Sequence, residues 1–212
     1  KMQIRQEYYR VKELLDGKRP SRMDLFTYID DDIYRICVSG SHAKENPFQH
    51  YLDFLYELGE LSEDEQKLYA GIGREFIQTI ETTEMQKVYK MPILYSFYNH
   101  GNIRLAVTDE EVLESWQEFF DTGTNWKDFP NVNTYEDYKK VTDKQHLSKA
   151  KRMPITRLKM SGKGFFVEKD GYALALRDEI GDVVGNMAFG EQMGDVLGYR
   201  SLEYYRRRYE KE

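Results

Sequence analysis

The chain has 212 residues, a formal net charge of −6, and 40% hydrophobic and 32% charged residues. That is enough to bury a core in one domain or two small ones, and 17 Tyr with 11 Phe is too aromatic a composition for a disordered segment. No apolar run approaches the ~20 residues of a membrane span, no signal-peptide pattern opens the chain, and the single Cys37 excludes an internal disulfide and a cysteine-based zinc site.

Residues 4–15 place Ile4, Tyr8, Val11 and Leu15 on one helical face. "DGKRPS" then breaks the helix, with Gly17 as the stop and Ser21 as the cap of a short second helix, "RMDLFTYI". Helix, tight turn, helix is the outline of a helix-turn-helix and equally of any αα-hairpin. Cys37 sits in "IYRICVSG" among apolar neighbours and is expected to be a buried, inert thiol. The next helix, "NPFQHYLDFLYELG", is expected to be capped by Asn46, to carry Pro47 in its first turn and to end at Gly59. Ser62 with Glu65 forms a capping box, and the helix it opens is expected to run to about Ile80 with Leu68, Ile72 and Phe76 in register. The Gly-x-Gly of "GIGREF" has no strand before it, so close helix packing explains it better than phosphate binding.

"KMPILYSFYNHGNIRLAV" predicts a short helix started by Pro92, a turn at 99–102 and a strand at 103–107. A second capping box, Thr108 with Glu111, opens a helix striped with Val112, Leu113, Trp116, Phe119 and Phe120. Its "DEE" suits a helix N-terminus and needs no acidic ATPase box. "DTGTNWKDFPNVN" is a long loop that marks a joint at 123–133, between a helical subdomain 1–122 and a second subdomain 134–212. Three short helices follow, "TYEDYKKV", "DKQHLSKAKRM" and "PITRLKMSG", then a β-hairpin turning at Asp170-Gly171. From Val183 the chain is expected to be helical, with Leu202, Tyr205 and Tyr209 inward. "YKMPI" at 89–93 and "KRMPI" at 151–155 echo each other, each at a helix start some ten residues before a glycine turn and a strand. The fold class is therefore α+β and predominantly helical, with a helical N-terminal part and a winged-helix-like unit carrying a β-hairpin.

Catalytic motifs are missing. "SGKG" at 161–164 lacks the upstream glycine, the following Ser or Thr and the preceding strand of a phosphate loop. His42, His50, His100 and His146 lie far apart without metal-ligand spacing. Glu168 and Lys169 lack the companion acid of a nuclease site and are expected to flank an exposed turn. The chain is expected to be non-catalytic by itself.

Charge points elsewhere. In an acidic protein, the 25 residues from Lys139 to Lys163 hold nine Lys or Arg and one acid, Asp143. In a winged helix the third helix enters the major groove and the hairpin, the wing, lies against the backbone or minor groove. Here the third helix presents Thr156, Arg157 and Lys159, preceded by Lys149, Lys151 and Arg152, while Lys163 and Lys169 decorate the wing. Arg19 and Arg22, in the helix-turn-helix outline, form a second and weaker set of expected nucleic-acid contacts. Such cations release counterions when they meet phosphate, so affinity would fall steeply with salt. A basic helix face can also dock a protein or simply be solvated, and the overall acidity argues against a protein built to coat DNA.

Five stretches, "EYYRVKELLDGKRPSRMDLFTYIDDDIY", "NPFQHYLDFLYEL", "YKMPILYSFYN", "WQEFFDTGTNWKDF" and "MPITRLKMSGKGFFVEKDGYALAL", together resemble the C-terminal accessory region of bacterial superfamily II helicases of the DEAD/DEAH type found with restriction, defence or mobile-element genes. The resemblance implies that ATP hydrolysis, with ATP and Mg, belongs to a motor domain elsewhere in the same protein, so no cofactor is expected in this chain. It implies that motor domain as a partner. The basic stretch makes nucleic acid, DNA before RNA, the other expected partner, and the lack of a membrane span and signal peptide makes no membrane contact and a cytoplasmic location the expectation. The start at Lys1 fits a piece of a longer protein. The competing expectation is a regulatory module that docks a partner or the motor domain, through its tyrosines or the acidic run at 30–32, and binds no nucleic acid.

Overall fold

Apolar spacing and local caps define the first element. Helix α1 (Met2–Leu14) buries Ile4, Tyr8 and Val11 on one face, and it ends where Asp16 and Gly17 both turn left-handed, at φ 56° and 81°. The computed structural model describes residues 2–39 and 46–210, so the candidate His42 lies outside the described residues. The chain forms two compact units, one of residues 1–82 with 186–199 and one of residues 83–185 with 200–212.

In the first unit, α2 (Arg22–Tyr28) opens with a capping box in which the Ser21 side chain accepts from the Asp24 amide and the Asp24 side chain accepts from the Ser21 amide. A helix the sequence reading did not include, α3 (Asp31–Val38), is capped by Asp30, whose side chain accepts from the amides of Asp32 and Ile33. The acidic run at 30–32 is thus a helix start, where carboxylates meet the positive end of the dipole. Helix α4 spans Tyr51–Leu58 and begins later than expected. Asn46 caps a turn instead, its side chain accepting from the Phe48 amide at 2.9 Å. Gly59, at φ 70°, ends α4 as expected.

The single helix expected from Ser62 to Ile80 is two helices, α5 (Glu63–Tyr69) and α6 (Ile72–Thr82), broken at Ala70–Gly71. Gly73 allows that break. A Cβ there would stand 2.2 Å from Leu68 Cδ1, so the start of α6 presses directly on the buried side chain of α5. The core gathers Tyr8, Leu25, Tyr51, Leu55, Phe76 and Phe189, all fully or almost fully buried. Cys37 is buried and free, and burial pushes its thiol up.

In the second unit, α7 (Lys90–Tyr98) and α8 (Asp109–Asp121) pack together, and α8 also packs on α10 (Asp143–Arg152). The expected turn at 99–102 is present and sharp, with Asn99, His100 and Gly101 all at positive φ. Thr108 and Glu111 form the second capping box, and of the expected stripe Val112, Trp116, Phe119 and Phe120 are buried while Leu113 is half-buried. The loop at 123–133, where the joint was expected, lies inside this unit and contains a 3-10 turn, Asn125–Asp128. The three short helices follow as α9 (Tyr135–Lys139), α10 and α11 (Pro154–Ser161).

Strands β1 (Ala106–Val107), β2 (Phe166–Val167) and β3 (Leu174–Leu176) make a small antiparallel sheet in the order β1-β3-β2. The β2–β3 hairpin turns at Asp170-Gly171, with Gly171 at φ 83°. The "MPI" echo now has a structural counterpart. Each copy opens a helix that is followed by a short strand, and those two strands flank β3 on either side. Helix α12 (Met187–Tyr209) closes the chain and contributes to both units. It starts later than Val183, after a 3-10 turn at Asp178–Asp182. Of its C-terminal aromatics Tyr204 is the buried one, at 1% exposure, whereas Tyr209 is 39% exposed. The fold is α+β and mostly helical. Among the described residues no helix is long and apolar enough to cross a membrane.

Candidate nucleic-acid interface

The basic stretch is built by two helices joined at one residue. Thr142 and Gln145 cap α10 reciprocally. Pro154 cannot donate a backbone hydrogen bond and restricts the residue before it, so α10 stops at Arg152 and α11 restarts across Met153. The inner side of α11 buries Pro154, Ile155 and Leu158. Its outer side leaves Thr156, Arg157 and Met160 exposed, with Met153 one turn earlier. Met160 is 78% exposed.

After α11 the chain must reverse sharply into β2. A Cβ on Gly162 would lie 2.4 Å from Phe166 Cδ2 and 2.5 Å from the Leu158 carbonyl oxygen, so only glycine lets the helix end meet the strand. Lys163 and Gly164 then both take positive φ, 53° and 78°. Lys163 is fixed at the mouth of this turn, exposed.

The structure sorts the expected contacts into three groups. Arg152, Arg157 and Lys163 are exposed, and none has a carboxylate partner among the described residues. Lys149 is half-buried, and Lys169 stands 5.2 Å over the Tyr172 ring. Lys151 and Lys159 are already paired, with Asp109 at 2.9 Å and Glu168 at 2.8 Å. The Thr156 hydroxyl donates back to the Arg152 carbonyl at 3.2 Å. The Lys159 ammonium holds the Glu168 carboxyl below the usual carboxylate range. The β2–β3 hairpin thus brings Glu168 and Asp170 along with Lys169, which makes it electrostatically mixed.

Arg19 and Arg22 are corrected by the structure. Arg22 is fully buried, donating to Glu81 and to Asp195 at 2.9 Å each, so it cannot reach a phosphate. Arg19 forms a two-pronged pair with the buried carboxylate of Glu65, which also accepts from Gln192 Nε2 at 2.7 Å. Burial pushes the Glu65 carboxyl up, but these hydrogen bonds and that of the Ser62 amide win and hold it below its ordinary value. Both arginines are internal struts of the first unit.

One cation near α11 escaped the sequence reading. Lys90, at the start of α7, is buried, and its ammonium donates to Thr83 Oγ1 at 2.9 Å, to the Glu84 carbonyl and to Ser161 Oγ at 3.5 Å. No carboxylate neutralises it within ion-pair distance among the described residues. Burial, with the guanidinium groups of Arg200 and Arg157, lowers its pKa, and Glu84 opposes them. Its position inside "YKMPI" was visible, but nothing local marked its burial.

On the inner side of α10, the His146 ring lies edge-on to Phe129 and Tyr138, with centroids 5.0 and 5.6 Å away. Its Nδ1 has no hydrogen-bond partner. Burial pushes its pKa below 6.5, with Asp121 and Asp143 pulling the other way. The folded state therefore favours neutral imidazole, whereas the unfolded chain binds a proton near 6.5. The stabilisation is complete above 6.5 and is lost as pH falls below it. Between about pH 7.5 and pH 5 the melting temperature is expected to fall further in the native protein than in His146→Phe. Equal falls would remove His146 as the titrating group.

Among the described residues no three of His, Cys, Asp and Glu stand where they could hold a metal ion. His50 bonds Gln78 at 2.7 Å and His100 lies 3.2 Å from Glu118. Comparison with family models, with curated proteins and with solved structures finds no match for this chain.

Proposed function

We propose that the second unit binds nucleic acid, DNA before RNA, through the outer face of α11, as an accessory part of a helicase-type protein. The observation that carries this reading is the face itself. Arg157 stands exposed without a carboxylate partner, between Arg152 and Lys163 in the same condition, beside Thr156 and Met160. Arg and Thr are side chains that read base edges, and an apolar side chain can meet the thymine methyl group. The element order supports it further. Helix, strand, helices and hairpin, with the first strand beside the last, is the arrangement of a winged helix, in which α11 would be the groove-facing helix. Lys151 and Lys159, each already paired, take a lesser part, and the mixed wing adds little. The helicase context rests on the sequence resemblance alone. A phosphate-loop motor encoded ahead of Lys1 would support it, and a frame without one would remove it.

The test is fluorescence anisotropy with a labelled duplex at several salt concentrations. Neutralising three phosphates gives a slope of log affinity against log salt of about −2.7, at about −0.9 per phosphate. Arg152→Glu/Arg157→Glu/Lys163→Glu is expected to abolish that binding with the melting temperature unchanged, because none of the three holds an internal ion pair. A native protein that binds no duplex at about millimolar, or a variant that binds as well as the native protein, defeats the reading. Stable capture of a protein partner in place of duplex would favour the docking alternative.

A further inference from the structure

We propose that the cavity between α7 and α8 binds a small alkylammonium cation. The cavity has a volume of about 240 Å³ and is walled by Tyr95 and Tyr98 of α7 and by Phe119 of α8. Tyr95 lies 6.1 Å from Tyr98 and 6.0 Å from Phe119, centroid to centroid, so the wall is a connected aromatic surface. Along α8, Glu111, Glu114, Ser115, Glu118 and Thr122 face the cavity at helical spacing. The 99–102 turn, with two successive non-glycine residues at positive φ, shapes the mouth.

The unneutralised carboxylates set the sign of the ligand. Four amide and hydroxyl donors around the cavity are spent on the protein's own carbonyls, while the hydroxyls of Tyr95, Tyr98 and Ser201 also line it and that of Ser201 has no partner within hydrogen-bond distance. Asn99 Nδ2 donates to Asn102 O, Asn125 Nδ2 to Phe119 O, Ser115 Oγ to Pro92 O and Thr122 Oγ1 to Glu118 O. Arg104 Nη1 donates to Ser96 O, and Arg104 Nε meets Glu111 Oε2 at 2.7 Å. Glu111 Oε1 accepts from the Thr108 amide, so Glu111 is fully engaged. Beside those hydroxyls, which can accept as well as donate, two carboxylates remain. Glu114 has no partner among the described residues, and Glu118 meets only His100. Like charges four apart on a helix repel, and a cation between them relieves that repulsion.

Carboxylates, hydroxyls that can accept, and aromatic faces are the recognition chemistry of an ammonium group. The volume lies below the ~300–1,000 Å³ of drug-sized sites, so the ligand is a head group of a few heavy atoms. The site stands independently of the nucleic-acid reading, because none of its residues is among the proposed phosphate contacts.

A free amine and the lysine side chain of a partner protein carry the same head, and the experiment separates them. Ring resonances of Tyr95 and Tyr98 are followed by NMR on the full chain against butylammonium, its neutral counterpart butan-1-ol, and a capped Gly-Lys-Gly peptide. Saturable shifts are expected with butylammonium, at least about tenfold weaker with butan-1-ol. Glu114→Gln/Glu118→Gln is expected to weaken butylammonium by a similar factor without lowering the melting temperature. Tighter binding of the peptide than of the amine assigns the site to a protein partner, and equal binding assigns it to a free amine. Equal shifts from butan-1-ol, or no saturation with butylammonium by ~20 mM, overturn the proposal.

Discussion

Replacing Arg22 with methionine is expected to destabilise the first unit by about 3–5 kcal/mol, the cost of breaking a buried ion pair from one side. Arg22 is completely buried between two carboxylates, and its loss strands them unequally. Asp195 keeps two backbone donors, the amides of Arg22 and Met23 at 2.8 and 3.1 Å. Glu81 keeps only the Tyr51 amide, at 3.0 Å. Burial already pushes the Glu81 carboxyl above its ordinary value of 4.5, against the pull of Arg22, and the variant removes that pull.

Two consequences separate a stranded charge from a simple packing defect. Arg22→Met/Glu81→Leu removes both partners and is expected to recover a large part of the loss, since replacing a buried pair by apolar groups is often neutral. The cost of the single variant is also expected to depend on pH. A carboxyl whose folded pKa is raised contributes stability fully below its unfolded value, and that contribution is lost as pH rises through the folded value. Urea unfolding at about pH 5 and pH 8 measures both. A single variant within about 0.5 kcal/mol of the native protein, or a loss independent of pH and not recovered by the double variant, contradicts this account.

Arg22 also shows why part of the molecule was legible in the sequence and part was not. Local signals were reliable where a few adjacent residues complete the physics. The Ser62 and Thr108 capping boxes, the Gly59 stop and the Asp170-Gly171 turn satisfy their own backbone groups within four residues. Arg22 depends on Glu81 and Asp195, 59 and 173 residues away, and no local pattern supplies them. A partial signal existed. Arg22 shares a helical face with Leu25, Phe26 and Ile29, all buried, so its position asked for a core residue.

The basic stretch divides in the same way. Its helices and turn were readable, but the pairing of Lys151 with Asp109, 42 residues earlier, was not. The β1–β3 pairing joins residues almost seventy apart and completes the three-stranded order that a hairpin alone does not define. The cavity was invisible for another reason. Glu114 and Glu118 occupy the polar side of an amphipathic helix, where carboxylates are ordinary, and only the aromatic wall of α7 across from them makes a site.

Asp128→Ala is expected to cost about 3 kcal/mol through the loss of several hydrogen bonds to one buried charge. The Asp128 side chain is 1% exposed and accepts from Tyr204 and Tyr209 hydroxyls at 2.8 and 2.7 Å and from the Val88 amide at 3.3 Å. Arg208 Nε lies 3.1 Å away, and the Asp128 carbonyl accepts from the Tyr89 hydroxyl. The long loop is therefore tied by one carboxylate to the last turns of α12 and the start of α7, all within the second unit. Removing it leaves the buried Tyr204 hydroxyl and the Val88 amide without partners, which is costlier than never having placed them.

Asp128→Asn keeps one carbonyl acceptor and is expected to lose less, and Tyr204→Phe, which deletes a single donor, about 1 kcal/mol. Hydrogen exchange locates the effect. Amides at 204–209 are expected to lose protection in Asp128→Ala, while those of α12 at 190–199, which belong to the first unit, retain it. Uniform loss along α12 would mean that the helix is held as one cooperative element and that Asp128 is not its local anchor. The ordering Ala, then Asn, then Tyr204→Phe is the sharper check, because a packing cavity at residue 128 would not grade the three in that way.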